Sequence, residues 1–159
     1  MRLMNRLSIT FISFLVLIDY MSKLYIKELV MENSIIVNNY IILEIYYNKG
    51  VAFSFLDSSS LFVNYLITFI VAVIILVIFL LFIKNYKNYN KFEYSSYILI
   101  LGGALGNFLD RLLNNSVLDF IIIHYDNIYF PGIFNLADMF ITIGALLLFL
   151  SYFTNKERI

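Results

Sequence analysis

Residues Leu61 to Ile83 run for 23 positions without one charged side chain, and this stretch dictates the solvent in which the chain folds. A bilayer's hydrocarbon core is crossed by about 20 mostly apolar residues in a helix. A lone strand there would leave its backbone N–H and C=O groups unpaired, so the segment predicts a transmembrane helix. Three further windows are apolar enough to follow it: Leu7 to about Ile26, Ser95 to Leu113 and Ile133 to Phe153. Each of these carries ionisable residues, respectively Asp19 with Lys23, Asp110 with Arg111, and Asp138 alone. Composition agrees with a lipid environment. Hydrophobic residues make up 62% of the chain and charged residues 14%, against ~25% charged in soluble domains. A soluble domain of this size buries only about 70% of the surface its unfolded chain exposes, too little to hide so much apolar area. An ordinary soluble domain, a disordered chain and a nucleic-acid-binding protein are excluded, and a net charge of zero gives a polyanion nothing to recognise.

The direction of the spans follows from their flanking cations. Arg2 and Arg6 precede the first window, Lys84, Lys87 and Lys91 lie between the second and third, and Lys156 and Arg158 follow the fourth. The segment from Lys27 to Ser60 instead sets two lysines against Glu28, Glu32, Glu44 and Asp57. Both termini and the 84–93 loop are therefore expected in the cytoplasm, with 27–60 and 114–132 outside. Asp19 stands where a signal-peptide cleavage site would need small residues, so the first span is expected to remain as an anchor. The expectation is one integral membrane domain over 1–159, an all-α four-helix bundle. Ser34 to Tyr47 is rich in Ile, Val and Tyr around an Asn38-Asn39 turn signal, which predicts a small hairpin on the membrane surface. The polar Asn-Tyr-Lys run at 85–91 reads as a solvated loop.

Ionisable residues within spans are costly and mark sites with partners. With the direction fixed, Asp19, Lys23, Asn107, Asp110, Arg111, Asn135 and Asp138 all fall in the outer half of the membrane, and Asn48, Lys49 and Asp119 just above it. Asp19 and Lys23 are spaced i,i+4 with the acid first, a favourable ion-pair geometry. Asn107 shares a helix face with Asp110 and Arg111, and Asn135 shares one with Asp138. Gly102 and Gly106 form a small-xxx-small pair suited to close helix packing. His124 reads as a loop residue. Asp138, in an otherwise apolar helix with no cation one turn away, needs a tertiary partner or a proton. If Asp119 faces it, two carboxylates in a poorly hydrated site would share one proton. The ionised member would act as general base on water and the protonated member as general acid on a carbonyl. Such amide hydrolysis needs no metal, thiol or imidazole, and the chain has no Cys and one His. No cofactor is expected. On these residues alone, a small proton-coupled transporter and a structural membrane subunit remain alternatives.

The strings Gly102-Gly103-Ala104-Leu105-Gly106-Asn107-Phe108-Leu109-Asp110-Arg111, Val117-Leu118-Asp119-Phe120 and Phe134-Asn135-Leu136-Ala137-Asp138 resemble bacterial lipoprotein signal peptidase, signal peptidase II. Asp19-x-x-Ser22-Lys23 and Asn48-x-Gly50-x-Ala52-Phe53 match two further boxes in the right order, so the resemblance spans essentially the whole chain. It implies an aspartic endopeptidase of the bacterial cell membrane that removes the signal peptide of prolipoproteins just before a cysteine bearing diacylglycerol. By the same resemblance Asp119 and Asp138 match the catalytic dyad. Asn107, Arg111, Asn135, Asp19, Lys23, Asn48 and Gly50 match positions that surround it and orient substrate. It further implies an extracytoplasmic β-cradle and short surface helix within 34–60, membrane lipid and prolipoproteins as partners, and inhibition by globomycin. A monomer is the expectation. Two departures stand out. Gly132 and Ile133 separate Pro131 from Phe134 where the family usually has one residue, which is expected to shift the start of the fourth helix. Met139 replaces a common Ser, which is expected to remove a hydrogen bond near Asp138.

Overall fold

A computed structural model describes residues 2–30, 33–50 and 60–156. Ala52 and Phe53, and the region expected to hold a short surface helix, lie largely outside the described residues. Four helices are long and apolar enough to cross a membrane. They are α1 (Arg2–Val30), α2 (Leu61–Asn85), α3 (Lys91–Asn114) and α4 (Leu136–Lys156). The strands are β1 (Ile35–Ile36), β2 (Ile41–Asn48), β3 (Val117–Tyr125) and β4 (Ile128–Phe134).

The expected hairpin over Ser34–Tyr47 is present as β1 and β2, with Asn38 Oδ1 accepting from the backbone of Tyr40 and Ile41 in the turn. The sheet is larger than expected, however. The 114–132 segment is not a plain loop, and the β-structure is not confined to the connection between the first two helices. β3 and β4 complete a four-stranded antiparallel sheet in the order β1-β2-β3-β4. The physical cause lies in the residues themselves, since Val117–Tyr125 and Ile128–Phe134 are rich in β-branched and aromatic side chains. The turn between them places Asp126 at φ 49°, a conformation that Asp tolerates better than most residues. The fourth span accordingly starts at Leu136, and Ile133 and Phe134 belong to β4.

At the other membrane face the connection between α2 and α3 is shorter than the expected 84–93 loop. Asn90 and Glu93 form a reciprocal capping box, each side chain accepting from the other's backbone N–H, and this starts α3 at Lys91. The 85–91 run is only partly solvated, because Tyr89 stacks on Tyr97 at 4.7 Å and on Phe82 at 6.4 Å. Ser8 of α1 meets the Tyr94 hydroxyl beside this cluster.

Helix α3 is the central element, packed against α1, α2 and α4. Its glycines serve different neighbours. A Cβ at Gly102 would meet Leu15 of α1, one at Gly103 would lie 2.3 Å from the Ala137 carbonyl of α4, and one at Gly106 would lie 2.7 Å from an Asp19 carboxylate oxygen. The stripe that reads as a packing face thus also decides how closely α4 and Asp19 approach α3. Helix α2 is mostly exposed, presenting Phe62, Phe69 and Leu76 outward, as a lipid-facing helix does. One face of the sheet rests on the end of α1, where Leu118 and Phe120 pack with Ile26 and Val30. Side chains alternate along a strand, so Asp119 points from the opposite face.

Candidate active site

The site is assembled around the residue that starts α4. Asn135 immediately precedes the helix, and its Oδ1 accepts from the Asp138 backbone N–H at 3.0 Å. Asp138 Oδ2 in turn accepts from the Asn135 backbone N–H at 3.1 Å. This is a capping box with an Asp in the place of the usual Glu or Gln. The hydrogen bonds that begin the helix therefore also fix the Asp138 carboxylate.

The remaining face of Asn135 reaches the other acid. Its Nδ2 donates to Asp119 Oδ1 at 2.6 Å and to Asn107 Oδ1 at 3.1 Å. Asn107 Nδ2 donates to Asp138 Oδ1 at 2.7 Å. Asn48, at the end of β2, donates to Asp119 Oδ2 at 3.0 Å and accepts from the Gly50 N–H at 2.9 Å. Arg111 closes the ring by donating to the Gly50 carbonyl at 2.6 Å, and its charge acts on both acids. The two acids, from β3 and α4, thus share one bridging amide, and each accepts two N–H donors.

Asp119 is 3% exposed. Burial pushes its carboxyl up to about 7, and the neighbouring Asp138 carboxylate adds to the rise. The Asn48 and Asn135 hydrogen bonds and the Lys23 charge act in the opposite direction without cancelling it. Desolvation beside a like charge is the arrangement that lets two acids hold a single proton.

Behind the pair lies a second buried network. Lys23 Nζ donates to Asp19 Oδ2 at 2.6 Å, to Asp110 Oδ2 at 2.9 Å and to Asn107 Oδ1 at 3.1 Å. Asp19 Oδ1 accepts from the Ala137 N–H in the first turn of α4 at 2.9 Å, and Asp110 Oδ2 accepts from the Leu118 N–H at 3.2 Å. Asp19 and Lys23 are 1% and 4% exposed, so they are placed to hold the elements that carry Asp119 and Asp138. Asp110 balances Lys23 more than its neighbour Arg111, a pairing that adjacency in the sequence does not reveal.

The nine residues that the family resemblance matched converge here: Asp119, Asp138, Asn107, Arg111, Asn135, Asp19, Lys23, Asn48 and Gly50. His124 does not join them. It lies on β3, its Nδ1 near the Asp126 carbonyl and its ring stacked on Tyr129. Asn64 was missed as a buried polar group, because attention to charge alone makes the second span look free of polar features. It is buried in α2, and its Oδ1 has no hydrogen-bond partner among the described residues. Among the described residues no group of three or more His, Cys, Asp and Glu is arranged to hold a metal ion.

Both sequence departures lie beside this hydrogen-bonded geometry. Ile122 pairs with Ile133 and His124 with Tyr129, so three residues of β4 lie opposite Ile123 alone. This bulge spans Phe130 to Gly132, and beyond it Phe134 pairs with Ile121, which brings Asn135 to Asp119. Met139 is 39% exposed, and both Asp138 oxygens already have donors without a side-chain hydroxyl there.

The signature of the signal peptidase (SPase) II family matches residues 11–154. Lipoprotein signal peptidase of Pseudomonas fluorescens is 35% identical over 156 residues, 96% of this chain and 91% of that protein. Lipoprotein signal peptidase of Cellvibrio japonicus is 38% identical over 112 residues, 70% of this chain and 65% of that protein. A solved bacterial membrane enzyme superposes with a TM-score of 0.75 at 30% identity, covering 95% of this chain and 90% of its own, and a second superposes at 0.69 with 33% identity. A match over nearly the full length, from α1 to α4, settles the classification: the chain belongs to the signal peptidase II family.

Proposed function

We propose that the protein is an aspartic endopeptidase that removes signal peptides from diacylglyceryl-modified prolipoproteins, cutting just before the lipid-bearing cysteine, with Asp119 and Asp138 as its catalytic pair. The family supports prolipoprotein processing. The observation that carries the aspartic mechanism is the single amide, Asn135, that bonds Asp119 directly and fixes Asp138 by reciprocal capping.

The chemistry follows from the two environments. Asp138 sits in the first turn of α4, where the helix dipole favours negative charge, and accepts N–H groups on both oxygens. It is the seat of the anion at rest. Asp119, held to about 7, keeps the shared proton. Water between them loses a proton to Asp138 as its oxygen attacks the scissile carbonyl carbon, while Asp119 protonates the carbonyl oxygen. Collapse of the tetrahedral gem-diol breaks the C–N bond as Asp138 returns its proton to the leaving nitrogen and Asp119 takes back a proton from one hydroxyl, which restores the resting pair. General acid and base catalysis of this kind is worth roughly 10²–10⁴-fold for each group. The site lies where two helix ends and the sheet meet, at the level of the bilayer surface. A signal peptide can therefore remain a membrane helix, and its acyl chains can stay in lipid, during cleavage. By the charge of the flanking segments this is the extracytoplasmic face, with both termini in the cytoplasm.

The test is processing of a lipidated prolipoprotein by purified protein. Asp119→Asn and Asp138→Asn should each lower the rate by at least 10³-fold while leaving thermal unfolding of the helices near wild type. Robust cleavage by either variant would refute the dyad.

A further inference from the structure

A cavity lies on the side of the sheet away from Asp119. It measures about 140 Å³ and opens between the last turns of α1 and α3. Tyr47 and Leu118 line it and are paired across β2 and β3, so they share the sheet face opposite to Asp119. Its floor is the Lys23–Asp110 ion pair, and its walls bring together Tyr20, Lys27, Asn114 and Ser116.

Charge and depth define what fits. Lys23 is committed to Asp19 and Asp110 at 2.6 and 2.9 Å, and Asp110 also accepts the Leu118 N–H, so the Lys23 ammonium is already engaged and offers a ligand no free charge. Lys27 forms no ion pair among the described residues, and it stands at the rim in the last turn of α1. A cation at a helix C-terminus is favoured by the dipole alone, and tyrosines are common at membrane surfaces. Those facts explain each residue singly, but not a cavity that collects them around one ammonium. Tyr20 lies seven residues before Lys27, roughly 10 Å deeper at 1.5 Å per residue, and Leu24 and Leu113 line the space as well. The cavity is therefore cationic at its rim, with the Leu24 and Leu113 side chains between that rim and the Lys23–Asp110 floor. Basic pockets between transmembrane helices hold lipid headgroups on this principle.

We infer that this cavity is a binding site for an anionic phospholipid of the adjoining leaflet, its phosphodiester on Lys27 and its first acyl carbons against Leu24 and Leu113. Hydroxyl groups of a phosphoglycerol headgroup would find acceptors at the rim in the C-terminal carbonyls of α3, which a choline headgroup cannot use. Such a lipid fastens α1 to α3 directly beneath the sheet, away from Asp119.

The experiment is native mass spectrometry and thermal unfolding of the full chain in detergent with added phosphatidylglycerol, phosphatidylcholine or inorganic phosphate. Wild type should retain phosphatidylglycerol at least tenfold more tightly than phosphatidylcholine. Lys27→Gln should abolish that preference, Tyr47→Phe should weaken it, and Lys84→Gln, on the cytoplasmic side, should leave it intact. Lys27 is exposed, so its substitution tests binding without threatening the fold. Equal retention of the two lipids by wild type, or an undiminished preference in Lys27→Gln, would overturn the proposal. Stabilisation by inorganic phosphate with no preference between lipids would overturn the membrane origin of the ligand.

Discussion

Replacing Gly103 by alanine isolates how closely helix packing governs the site. The new Cβ would lie 2.3 Å from the Ala137 carbonyl oxygen and 2.8 Å from Ile141 Cγ1, against 3.4–4 Å for ordinary contact. The isoleucine can rotate, but the carbonyl belongs to the α4 backbone, so α4 must retreat from α3 by about 1 Å. That retreat occurs one residue before Asp138. It stretches the 2.7 Å Asn107–Asp138 bond and the 2.9 Å Asp19–Ala137 bond together. A displacement of about 1 Å at a reacting group costs on the order of 10²-fold in rate, and overpacking costs about 1–3 kcal/mol of stability. Gly144→Ala is the matched control. Its Cβ would meet Ser96 O at 2.9 Å and Ile100 Cγ1 at 2.8 Å, but six residues beyond Asp138, roughly 9 Å along the helix. Both variants should lower the unfolding temperature, and only Gly103→Ala should lower kcat by about 10²-fold. Wild-type kcat in Gly103→Ala, or an equal loss in Gly144→Ala, would refute the link between this contact and the dyad.

Asp19→Asn keeps an oxygen to accept the Ala137 N–H but loses the charge facing Lys23, whereas Asp19→Ala loses both. Thermal unfolding should show the alanine variant less stable than the asparagine variant by about 1 kcal/mol, the typical worth of a helix cap; equal stabilities would remove Asp19 from that role. Because Asp119 holds its proton up to about 7, the cleavage rate should fall above that pH as the shared proton is lost, tenfold per unit. The native chain keeps this proton between about 4 and 7 while the unfolded chain releases it, so the Asp119 contribution to stability falls as pH rises through that window and is flat above it. In Asp138→Asn the added like charge is gone but burial remains, so the Asp119 carboxyl carbon should titrate lower than in wild type yet above the ordinary carboxylate range; a wild-type midpoint below 5 by NMR would contradict the shared proton. Chelators should leave cleavage unchanged, and full loss of activity on chelation would count against water activation by two acids.

The four spans were legible because lipid makes length and hydropathy nearly decisive, and the site was legible because polar residues in spans are too costly to be incidental. Helix ends were read less well. The capping box at Asn90 and Glu93 lengthens α3 by a turn beyond its apolar stretch, since a cap is a local hydrogen-bond feature that hydropathy does not register. The β3–β4 hairpin was overlooked for the opposite reason, its alternation being masked by apolar residues on both faces, such as Ile121, Ile122 and Ile123. The partner of Lys23 was half visible. Spacing along α1 gave Asp19, but Asp110 comes from another helix, and only packing sets it 2.9 Å away. Asn64 was hidden by its neutrality.

A helix bundle in lipid gains little from the hydrophobic effect between its helices, because acyl chains are as apolar as leucine. Close glycine contacts and interhelical hydrogen bonds must do that work, and in this protein they occur where the catalytic candidates are. Gly103 and Gly106 admit α4 and Asp19, Asp19 caps α4, and the same cap seats Asp138 beside the amide that holds Asp119. Stability and catalytic geometry therefore draw on one set of bonds rather than two. The shared network therefore extends the demand for one residue type beyond the two acids: a side chain that merely fills the space of Asp19 or Asn135 without its hydrogen bonds would loosen α4 and misplace Asp138 in one step.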